Sequence, residues 1–455
     1  MCGIIGVYNS KDASYLSYLG LTALQHRGQE GAGIVSFDGE KIQRIRGKGL
    51  VSEVFDNDEK IKSLEGIIAI GHNRYATIDS VGLESFQPLK FSFQGLKVAT
   101  AHNGNLTNYL ELRDDLESKG AIFDTDLDSE IFAHLIAHAK GDTIQERIKD
   151  SFNKIDGSYS LIIMTQDELI GVRDPWGNRP FAFGNKDDSF FLASETTAFD
   201  LVDAKEIRQV KPGEILTINK NEIKSDYLTR KEESKFCIFE HVYFSRPDSM
   251  LNGKNIDKYR RRLGIELAKQ HPVDADIVIP VPDSGTTSAM GYSLESGIPF
   301  DFGLVKNHYI GRTFIKPTQE IRDLSVKKKL NPVSGVINGQ RIIIVDDSIV
   351  RGTTMKQLTN ILYEQGAKEV HIRISSDLVA HPCYHGMDFP SKNELFANKP
   401  LFANNPNKIE AMKSFFGVDS IGFLSLDGMI NAVPEWGYCA SCFDGNYHTK
   451  PQLTK

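Results

Sequence analysis

Long apolar runs are missing from this sequence of 455 residues. No stretch approaches the roughly 20 consecutive apolar residues that a membrane helix needs. The opening apolar run is too short for a signal peptide and has no basic leader. Cysteine is also scarce, with five residues in the chain. We therefore expect a cytoplasmic protein without membrane contact, whose cysteines serve catalysis or metal binding rather than disulfides.

An excess of basic charge is also absent. The chain carries 53 Lys and Arg against 60 Asp and Glu, and its net charge of -7 argues against nucleic acid as a partner. Hydrophobic residues make up 40% and charged residues 25%, which are globular proportions. The length predicts roughly two or three domains.

The first half of the chain alternates short apolar runs with turns, as in "GIIAIGHNRYAT" and "SYSLIIM". The pair Asp38-Gly39 lies between two such runs and predicts a β-hairpin. Helical spacing follows in "LTNYLELRDDLESKG", where one face carries Tyr109, Leu112 and Leu116. These patterns predict an α+β domain of antiparallel sheet with packed helices.

The second half has a different pattern. After the charged stretch "YLTRKEESKF", the near-continuous apolar runs "ADIVIPVP" and "QRIIIVDD" are typical of parallel strands covered on both faces. A helical pattern and the strand "KEVHIRISS" follow, completing a βαβ unit whose helix buries Met355, Leu358, Ile361 and Leu362. We therefore predict one domain over residues 1–235 and an α/β domain over residues 236–455.

The segment "RIIIVDDSIVRGTT" has the pattern of a phosphate-binding loop. A strand ends in Asp346 and Asp347, and ligands of parallel sheets bind beyond the carboxyl ends of strands. Backbone N–H groups of the loop would face an anion, and the two carboxylates suit sugar hydroxyls or a divalent cation. The alternative is a strand-end turn in which the aspartates cap the helix. The loop residues assigned to a phosphorylated sugar are Ser348, Ile349, Val350, Arg351, Gly352, Thr353 and Thr354.

This segment resembles the phosphoribosyl pyrophosphate (PRPP) motif of type I phosphoribosyltransferases. The resemblance implies that Asp346 and Asp347 engage the ribose hydroxyls and Mg2+ and that the loop holds the 5'-phosphate. A second segment, "IVIPVPDSGTTSAMGYS", resembles the pyrophosphate loop of that family. It implies that Asp283 and Ser284 contact PRPP, with Ser284 also near Mg2+.

A basic segment with little hydrophobic periodicity lies between the two loops, over residues 307–333. A solvated surface loop is one interpretation. We favour a lid, because positive charge over a pyrophosphate leaving group stabilises the developing anion. Lys306, immediately before this segment, and Arg312 within it are predicted PRPP contacts.

Cys2 stands one residue from the start of the printed chain. Removal of Met1 would place the thiol and a free α-amino group in one residue. An α-amino group has a pKa of about 7.7–8.0, so its neutral form could accept the thiol proton. The alternative is an ordinary buried thiol at the start of a strand.

The motifs "MCGIIGV", "LQHRGQEGAGI", "GHNRYAT", "HNGNL" and "DSE" occur in that order and resemble glutamine amidotransferase domains of the N-terminal nucleophile class. The resemblance implies that Cys2 is the nucleophile and that Asn103 and Gly104 form the oxyanion hole. Arg74 would bind the α-carboxylate of glutamine. Asp128 would bind its α-ammonium, although a helix N-cap is an alternative role.

Further pocket candidates are Tyr75, Thr77 and Arg27, in the glutamine site or its closing loop. His72 and His102 flank the motifs and are interpreted as structural, because the α-amino group already supplies a base.

Both halves together resemble the amidophosphoribosyltransferase family of pentosyltransferases. The resemblance implies that ammonia from glutamine displaces pyrophosphate from PRPP to give 5-phosphoribosylamine, the first committed step of purine synthesis. It also implies one Mg2+ per chain, feedback inhibition by purine nucleotides and a homo-oligomer. Two alternatives remain: a glutamine-dependent synthase of the glucosamine type, which would lack "VDDSIVRGTT", and a PRPP-sensing regulator with an idle glutaminase half.

The remaining four cysteines lie in the second half, and two of them form the C-x-x-C pair of "YCASCF". A set of four thiolates suits structural zinc or a [4Fe–4S] cluster, and spacing alone does not decide between them. The resemblance to cluster-bearing members of the family favours the cluster, with a structural or oxygen-sensing role. The implied ligands are Cys237, Cys383, Cys439 and Cys442.

Overall fold

The computed structural model describes residues 1–75, 82–251, 253–307, 329–387, 389, 391–403, 405–434 and 436–450. Its α-helices are α1 (Ala13–Ala23), α2 (Val51–Val54), α3 (Asp58–Lys62), α4 (Tyr109–Ser118), α5 (Glu130–His138), α6 (Ile144–Ser151), α7 (Thr197–Leu201), α8 (Ile256–Gln270), α9 (Thr286–Ser296), α10 (Ser334–Ile337), α11 (Thr353–Glu364), α12 (Pro400–Ala403), α13 (Lys408–Phe416), α14 (Leu426–Ala432) and α15 (Ser441–Asp444). Single turns of 3-10 helix lie at Gln25–Arg27, Leu83–Ser85, Phe152–Lys154, Lys392–Glu394 and Phe396–Asn398, and a π-helical turn lies at Glu240–Phe244.

The strands of the first half are β1 (Gly3–Tyr8), β2 (Gly31–Phe37), β3 (Ile42–Lys48), β4 (Ile68–Arg74), β5 (Leu89–Phe93), β6 (Leu96–Leu106), β7 (Gly157–Met164), β8 (Leu169–Arg173), β9 (Ala182–Lys186), β10 (Ser189–Ala193), β11 (Lys205–Gln209), β12 (Glu214–Ile218) and β13 (Ile223–Tyr227). Those of the second half are β14 (Phe236–Cys237), β15 (Met250–Leu251), β16 (Lys254–Asn255), β17 (Ile277–Pro280), β18 (Leu304–Lys306), β19 (Leu330–Pro332), β20 (Arg341–Asp346), β21 (Glu369–Ile374), β22 (Ser420–Phe423) and β23 (Tyr438–Cys439).

Two antiparallel sheets pack face to face in the first half. Their strand orders are β11-β9-β10-β1-β4-β2-β3 and β13-β12-β8-β7-β6-β5. The apolar run of strand β1 is continuous because both of its faces are buried. Ile4 belongs to the core between the sheets, whereas Ile5 packs with helix α1 on the other face. Helices α4, α5 and α6 cover the outer face of the second sheet. The predicted α+β class is confirmed as a four-layer arrangement of helices, two sheets and helices.

Local predictions in this half are also confirmed. Strands β2 and β3 pair with Phe37 opposite Ile42, and Gly39 in the connecting turn has a φ of +99°. Leu112 and Leu116 form the buried face of helix α4.

A parallel sheet forms the centre of the second half, in the order β17-β20-β21-β22. Successive residues of β20 face opposite layers: Ile343 packs in the core that includes α8, and Ile344 packs in the core that includes α11. This two-sided burial explains the apolar run and confirms the predicted α/β class. The predicted buried face of α11 is confirmed at Met355, Leu358, Ile361 and Leu362.

The beginning and the end of the second half lie side by side. Strands β14 and β23 pair in parallel, with Cys237 opposite Cys439. The proposed domain boundary between residues 235 and 236 stays a prediction. Among the described helices, none has both the length and the apolarity to cross a membrane.

Candidate active sites

Cys2 precedes strand β1 in the middle of the first sheet. The antiparallel register of β1 and β4 pairs Gly3 with Asn73, so its extension by one residue sets Cys2 opposite Arg74. The Cys2 backbone nitrogen donates a hydrogen bond to Asn103 Oδ1 at 2.9 Å. Cys2 is therefore held between two strands that come from different sheets.

Asn103 and Gly104 lie near the end of β6. The Asn103 side chain is buried, and its Nδ2 has no hydrogen-bond partner within the described part of the chain. A Cβ at Gly104 would lie 2.7 Å from the Ser158 carbonyl carbon and 2.9 Å from His102 Nε2, so only glycine fits there. The Asn103 side-chain amide, which is unpaired among the described residues, thus lies next to the Gly104 backbone, where no side chain blocks access to the N–H group.

Arg74 ends strand β4. One of its guanidinium nitrogens donates to the Ser85 carbonyl, and the guanidinium lies 5.8 Å from the centre of the Phe86 ring. Its Nε is buried and has no hydrogen-bond partner among the described residues. Part of the fork is therefore free to bind a carboxylate.

Asp128 lies two residues before helix α5, next to the N-cap residue Ser129. Its Oδ2 accepts the Leu106 amide at 2.9 Å, and its Oδ1 accepts the Ser129 hydroxyl at 3.2 Å. The N-cap residue of α5 is Ser129, which makes no side-chain capping bond. The alternative role as a helix cap is therefore not what the structure shows, since the carboxylate is directed toward the end of β6.

Arg27 is fully buried and touches Cys2 directly. Its Nε donates to the Cys2 carbonyl at 3.2 Å. Its other nitrogens bind the carboxylates of Glu195 and Glu240, the latter at 2.8 Å. Burial alone would lower the pKa of Arg27, but the two carboxylates outweigh burial and raise it. The N–H groups of Arg27 therefore bond to Cys2, Glu195 and Glu240. We had expected Arg27 to be a glutamine-binding residue of the pocket or its closing loop.

His72 and His102 lie behind the motifs and are buried. Burial lowers the pKa of His72 to about 3, and burial also lowers the pKa of His102. The His102 ring is held by the Ser129 hydroxyl at 3.0 Å. Both imidazoles are therefore neutral near pH 7, in keeping with structural roles.

The other two pocket candidates differ in what can be said of them. Tyr75 packs edge-on against Phe244, with ring centres 5.8 Å apart. Thr77 lies outside the described residues.

The second candidate site lies at the carboxyl ends of β17 and β20. These neighbouring strands bring Ser284 and Asp346 together, with the Ser284 hydroxyl donating to Asp346 Oδ1 at 2.9 Å. A Cβ at Gly285 would lie 3.0 Å from Asp346 Cα. The two predicted PRPP loops are therefore in direct contact.

The two aspartates do not cap the following helix. Asp346 Oδ1 accepts the Asp347 amide at 2.9 Å, and Asp347 Oδ2 accepts the Ser348 hydroxyl at 2.5 Å. Helix α11 begins after Gly352, with no side-chain cap. Burial, together with the neighbouring Asp347 carboxylate, raises the pKa of Asp346 well above its usual range. The structure therefore contradicts the capping alternative.

The rest of the predicted PRPP loop surrounds these carboxylates. Gly352 has a φ of +78°, and a Cβ there would lie 3.0 Å from Phe396 Cε2. Arg351 is exposed, 3.6 Å from the Glu394 carboxylate. Lys306 forms an ion pair with Asp283 across the mouth of the site. Arg312 and residues 308–328 of the predicted lid lie outside the described residues.

The four remaining cysteines gather where β14 pairs with β23. Burial raises the pKa of Cys442 well above its usual range, and the thiols of Cys383, Cys237 and Cys439 raise it further. Cys383 Sγ accepts two backbone N–H bonds, from His385 and Met387, at 3.4 Å each. Peptide N–H bonds to sulfur are typical of thiolate ligands in metal centres.

Two histidines border this cysteine group. The ligand atoms of His385, Cys439 and His448 lie within 4.8 Å of one another, and both ring nitrogens of His448 are buried without a hydrogen-bond partner in the described part of the chain. The histidines add possible nitrogen ligands to the four sulfurs.

Sequence reasoning missed a buried ion network between the two halves. Arg179 and Glu240 are fully buried, with 3.7 Å between the guanidinium and the carboxylate. Arg179 also donates to the His385 carbonyl, and the thiols of Cys237, Cys383 and Cys439 help to raise its pKa against the effect of burial. The available signal was the glutamate inside the apolar run "FCIFEHVYF", since charged residues are rarely buried unless paired.

Comparisons with known proteins agree with both halves. A family model described as a glutamine amidotransferase domain matches residues 72–201. A model described as a phosphoribosyl transferase domain matches residues 250–384.

Whole-chain relatives cover both halves at once. The chain is 47% identical to amidophosphoribosyltransferase 1, chloroplastic, of Arabidopsis thaliana over 100% of this chain and 80% of that protein. It is 44% identical to amidophosphoribosyltransferase of Bacillus subtilis over 99% of this chain and 94% of that protein.

Solved structures give the same result. The chain matches the B. subtilis glutamine PRPP amidotransferase complexed with ADP and GMP with a TM-score of 0.91 and 44% identity, over 99% of this chain and 98% of that one. A structure described as the allosteric regulatory enzyme of purine biosynthesis matches with a TM-score of 0.93 and 43% identity, over 99% and 97% of the two chains. The chain therefore belongs to the amidophosphoribosyltransferase family, whose members transfer glutamine nitrogen to PRPP.

Proposed function

We propose that the two sites catalyse successive steps of one reaction. Cys2 hydrolyses glutamine, and the ammonia displaces pyrophosphate from PRPP beside Asp346 and Asp347 to form 5-phosphoribosylamine. The observation that carries this proposal is the 2.9 Å bond from the Cys2 nitrogen to Asn103 Oδ1, which joins the nucleophile to the oxyanion-hole residue.

In the first step, Cys2 Sγ attacks the side-chain carbonyl carbon of glutamine. In a chain processed at Met1, the Cys2 nitrogen would be an α-amino group that accepts the thiol proton. Asn103 Nδ2, which is buried and unpaired in the described structure, and the Gly104 N–H would bind the oxyanion of the tetrahedral intermediate. The proton then passes to the leaving ammonia, and water hydrolyses the glutamyl thioester to glutamate.

Glutamine is oriented by its α-substituents. Arg74 Nε, which has no hydrogen-bond partner among the described residues, supports binding of the α-carboxylate, and the Asp128 carboxylate, bonded to the end of β6, supports binding of the α-ammonium. Tyr75 and Thr77 stay predicted pocket residues. For Arg27 we now propose a positioning role, because its donors hold the Cys2 carbonyl and two glutamates rather than a ligand.

In the second step, ammonia attacks C1 of the ribose and pyrophosphate leaves. Asp346 and Asp347 would bind the ribose hydroxyls, and backbone N–H groups of residues 348–354 would bind the 5'-phosphate at the start of α11. Asp283, Ser284, Lys306 and Arg312 would face the pyrophosphate. Ammonia is protonated in neutral water and then ceases to be a nucleophile, so we propose that it passes internally between the sites.

Mg2+ fits the oxygen ligands of this second site. Asp346 and Asp347 lie side by side with the Ser284 hydroxyl, and burial together with the neighbouring Asp347 carboxylate raises the pKa of Asp346. Oxygen-only sets of this kind suit Mg2+. When bound by Ser284, Asp346 and Asp347, Mg2+ would supply positive charge for the departing pyrophosphate.

The test is a paired assay with glutamine or ammonia as nitrogen donor. Cys2→Ala should abolish pyrophosphate release driven by glutamine and leave the ammonia-driven release within about twofold of wild type. The reciprocal variant Asp347→Asn should abolish both, while glutamate release at Cys2 stays measurable. If Cys2→Ala folds but ammonia also fails, a PRPP-sensing regulator becomes the better interpretation.

We also propose a [4Fe–4S] cluster on Cys237, Cys383, Cys439 and Cys442. Tetrahedral zinc with bonds of about 2.3 Å would place its four sulfurs about 3.8 Å apart. Among the described residues, the group of ligand atoms within 4.8 Å is His385, Cys439 and His448, and it contains one of the four sulfurs. That group does not hold the four thiols, whereas the four neighbouring cysteines together match the thiolate set of a [4Fe–4S] cluster, whose role would be structural or oxygen-sensing because neither step transfers electrons.

Metal analysis after anaerobic purification tests this assignment. We expect about four iron and four sulfide per chain, and Cys442→Ser should lose both. His448→Ala serves as the matched variant from the competing histidine group and should keep the iron. One zinc per chain, lost from His448→Ala and kept in Cys442→Ser, would instead assign a zinc site to the histidine group.

Three further properties rest on the family. We propose that purine nucleotides inhibit by competing for the phosphate loop at residues 348–354, since they share the 5-phosphoribosyl group with PRPP. A homo-oligomer and a cytoplasmic location stay predictions.

A further inference from the structure

The segment Cys383–Met387 connects the cysteine group to the glutamine site. Two of its backbone carbonyls accept hydrogen bonds from the first half of the chain. Asn105 Nδ2 donates to the Tyr384 carbonyl at 2.9 Å. Ser158 Oγ, at 2.7 Å, and Arg179 both donate to the His385 carbonyl. Asn105 and Ser158 lie opposite each other on β6 and β7. The segment is therefore bonded to β6, which carries the proposed oxyanion hole, and to its neighbour β7.

Gly386 brings this segment against the oxyanion hole itself. It is buried and has a φ of +96°. A Cβ built on it would lie 3.1 Å from both the carbonyl carbon and the carbonyl oxygen of Gly104, and 3.3 Å from Gly104 Cα. These neighbours are backbone atoms of the proposed oxyanion donor, so they cannot swing away as a side-chain end could.

The conformation of the segment depends in turn on the Cys383 thiol. Cys383 Sγ accepts the N–H groups of His385 and Met387, at 3.4 Å each, and so organises the turn that presents Gly386. This short turn thus begins with Cys383, a proposed cluster ligand, and contacts the Gly104 backbone through Gly386.

We propose that Cys383–Met387 is a positioning element for the oxyanion hole, through which the cysteine site sets the geometry of glutamine hydrolysis. This inference rests on the proposed function. Oxyanion donors act on the transition state and must lie about 2.7–3.1 Å from the developing charge. Displacement of Gly104 by a few tenths of an ångström should therefore lower kcat for glutamine and leave KM unchanged.

Gly386→Ala tests the contact. We expect a fall of about ten- to a hundredfold in kcat for glutamine, less than the roughly 10²–10³-fold loss of a whole oxyanion donor. KM for glutamine, ammonia-driven activity and iron content should stay within about twofold of wild type. Inhibition by glutamate γ-semialdehyde, which forms a tetrahedral adduct with the thiol, should weaken by the same factor as kcat, whereas inhibition by glutamate should not change.

The matched control is Gly297→Ala, which has a similar φ of +72° but no atom of the described residues within 4 Å of the added Cβ. It should leave both activities unchanged. Equal kcat for glutamine in Gly386→Ala and Gly297→Ala would overturn the proposal, as would a parallel fall of the glutamine and ammonia reactions.

Ser158→Ala is a second variant should Gly386→Ala fail to fold or lose its iron. It removes the bond to the His385 carbonyl without adding bulk, and we expect a several-fold loss of kcat for glutamine with ammonia-driven activity and iron unchanged. No loss in this variant would overturn the proposal. Failure of the proposed function is distinguishable, because wild-type protein would then show no glutamine-driven activity at all.

Discussion

Asn103 uses both ends of its side-chain amide in the glutamine site. Its Oδ1 accepts a hydrogen bond from the Cys2 nitrogen. Its Nδ2 has no partner among the described residues and would donate to the oxyanion. The same contact would keep a Cys2 α-amino group beside its own thiol. In the proposed mechanism, this one amide would orient the Cys2 nucleophile and its base with Oδ1 and bind the oxyanion with Nδ2.

The pH profile of glutamine hydrolysis should reflect the Cys2 nitrogen rather than a histidine. Its base must be neutral, so kcat should rise with pH through about 7.7–8.0, the range of an α-amino group. Burial holds the pKa of His72 at about 3, so this imidazole is neutral throughout that range. Glutamate release measured between pH 5.5 and 9 should show one rising limb. A limb centred near pH 6.5 that disappears in His102→Gln would contradict this assignment.

Strand ends and tight turns build the phosphoribosyl site. The parallel pairing of β17 with β20 brings the two PRPP loops together, and Gly285 and Gly352 allow the close backbone approaches that follow. The shape of the proposed PRPP site therefore depends on Gly285 and Gly352 as much as on the carboxylates of Asp346 and Asp347.

Gly352→Ala should weaken PRPP binding by distorting the loop at residues 348–354. The φ of +78° disfavours alanine, and the added Cβ would press on the Phe396 ring. We expect KM for PRPP to rise at least tenfold with either nitrogen donor, measured by pyrophosphate release. Gly339→Ala is the control and should leave KM unchanged, since Gly339 has a φ of +75° and, in the described part of the chain, no atom within 4 Å of an added Cβ. Equal KM values in the two variants would show that the turn does not shape the PRPP site.

Sequence patterns predicted elements better than the contacts between them. The apolar runs and helical spacings identified the sheets, helix α4 and helix α11, because burial on one or two faces leaves a local period. The contact of Gly386 with Gly104 spans 282 residues of chain and involves backbone atoms, which leave no local period. Arg27 was placed in the pocket because its motif resembled the family, whereas its partners Glu195 and Glu240 lie far along the chain.

At the scale of the whole molecule, a buried ion network crosses between the halves. Arg27 and Glu195 belong to the first half and Glu240 to the second, and all three side chains are at most 2% exposed. Burial would raise the pKa of Glu195, but His26 and Arg27 outweigh burial and lower it. Each charge is thus stabilised only while its partners are present.

Glu240→Gln should be strongly destabilising. It removes the shared partner of Arg27 and Arg179, and breaking a buried ion pair costs about 3–5 kcal/mol. The free energy of unfolding in denaturant, followed by tryptophan fluorescence, measures the effect. Glu232→Gln is the control, since its pair with Arg230 is partly exposed and worth at most about 1 kcal/mol. Similar losses in the two variants would contradict a structural role for the network.

The position of Glu240 also bears on how such an enzyme can evolve. Its carboxylate comes from the second half of the chain but, with Glu195, pairs with Arg27 of the first half, which donates to the carbonyl of Cys2, the proposed nucleophile. Recombination that moved the first half onto another partner would leave Arg179 without its carboxylate and Arg27 with Glu195 alone, unless the new partner placed an anion at the same position. In this chain, exchange of one half therefore requires a matching change at the buried ion network of the other.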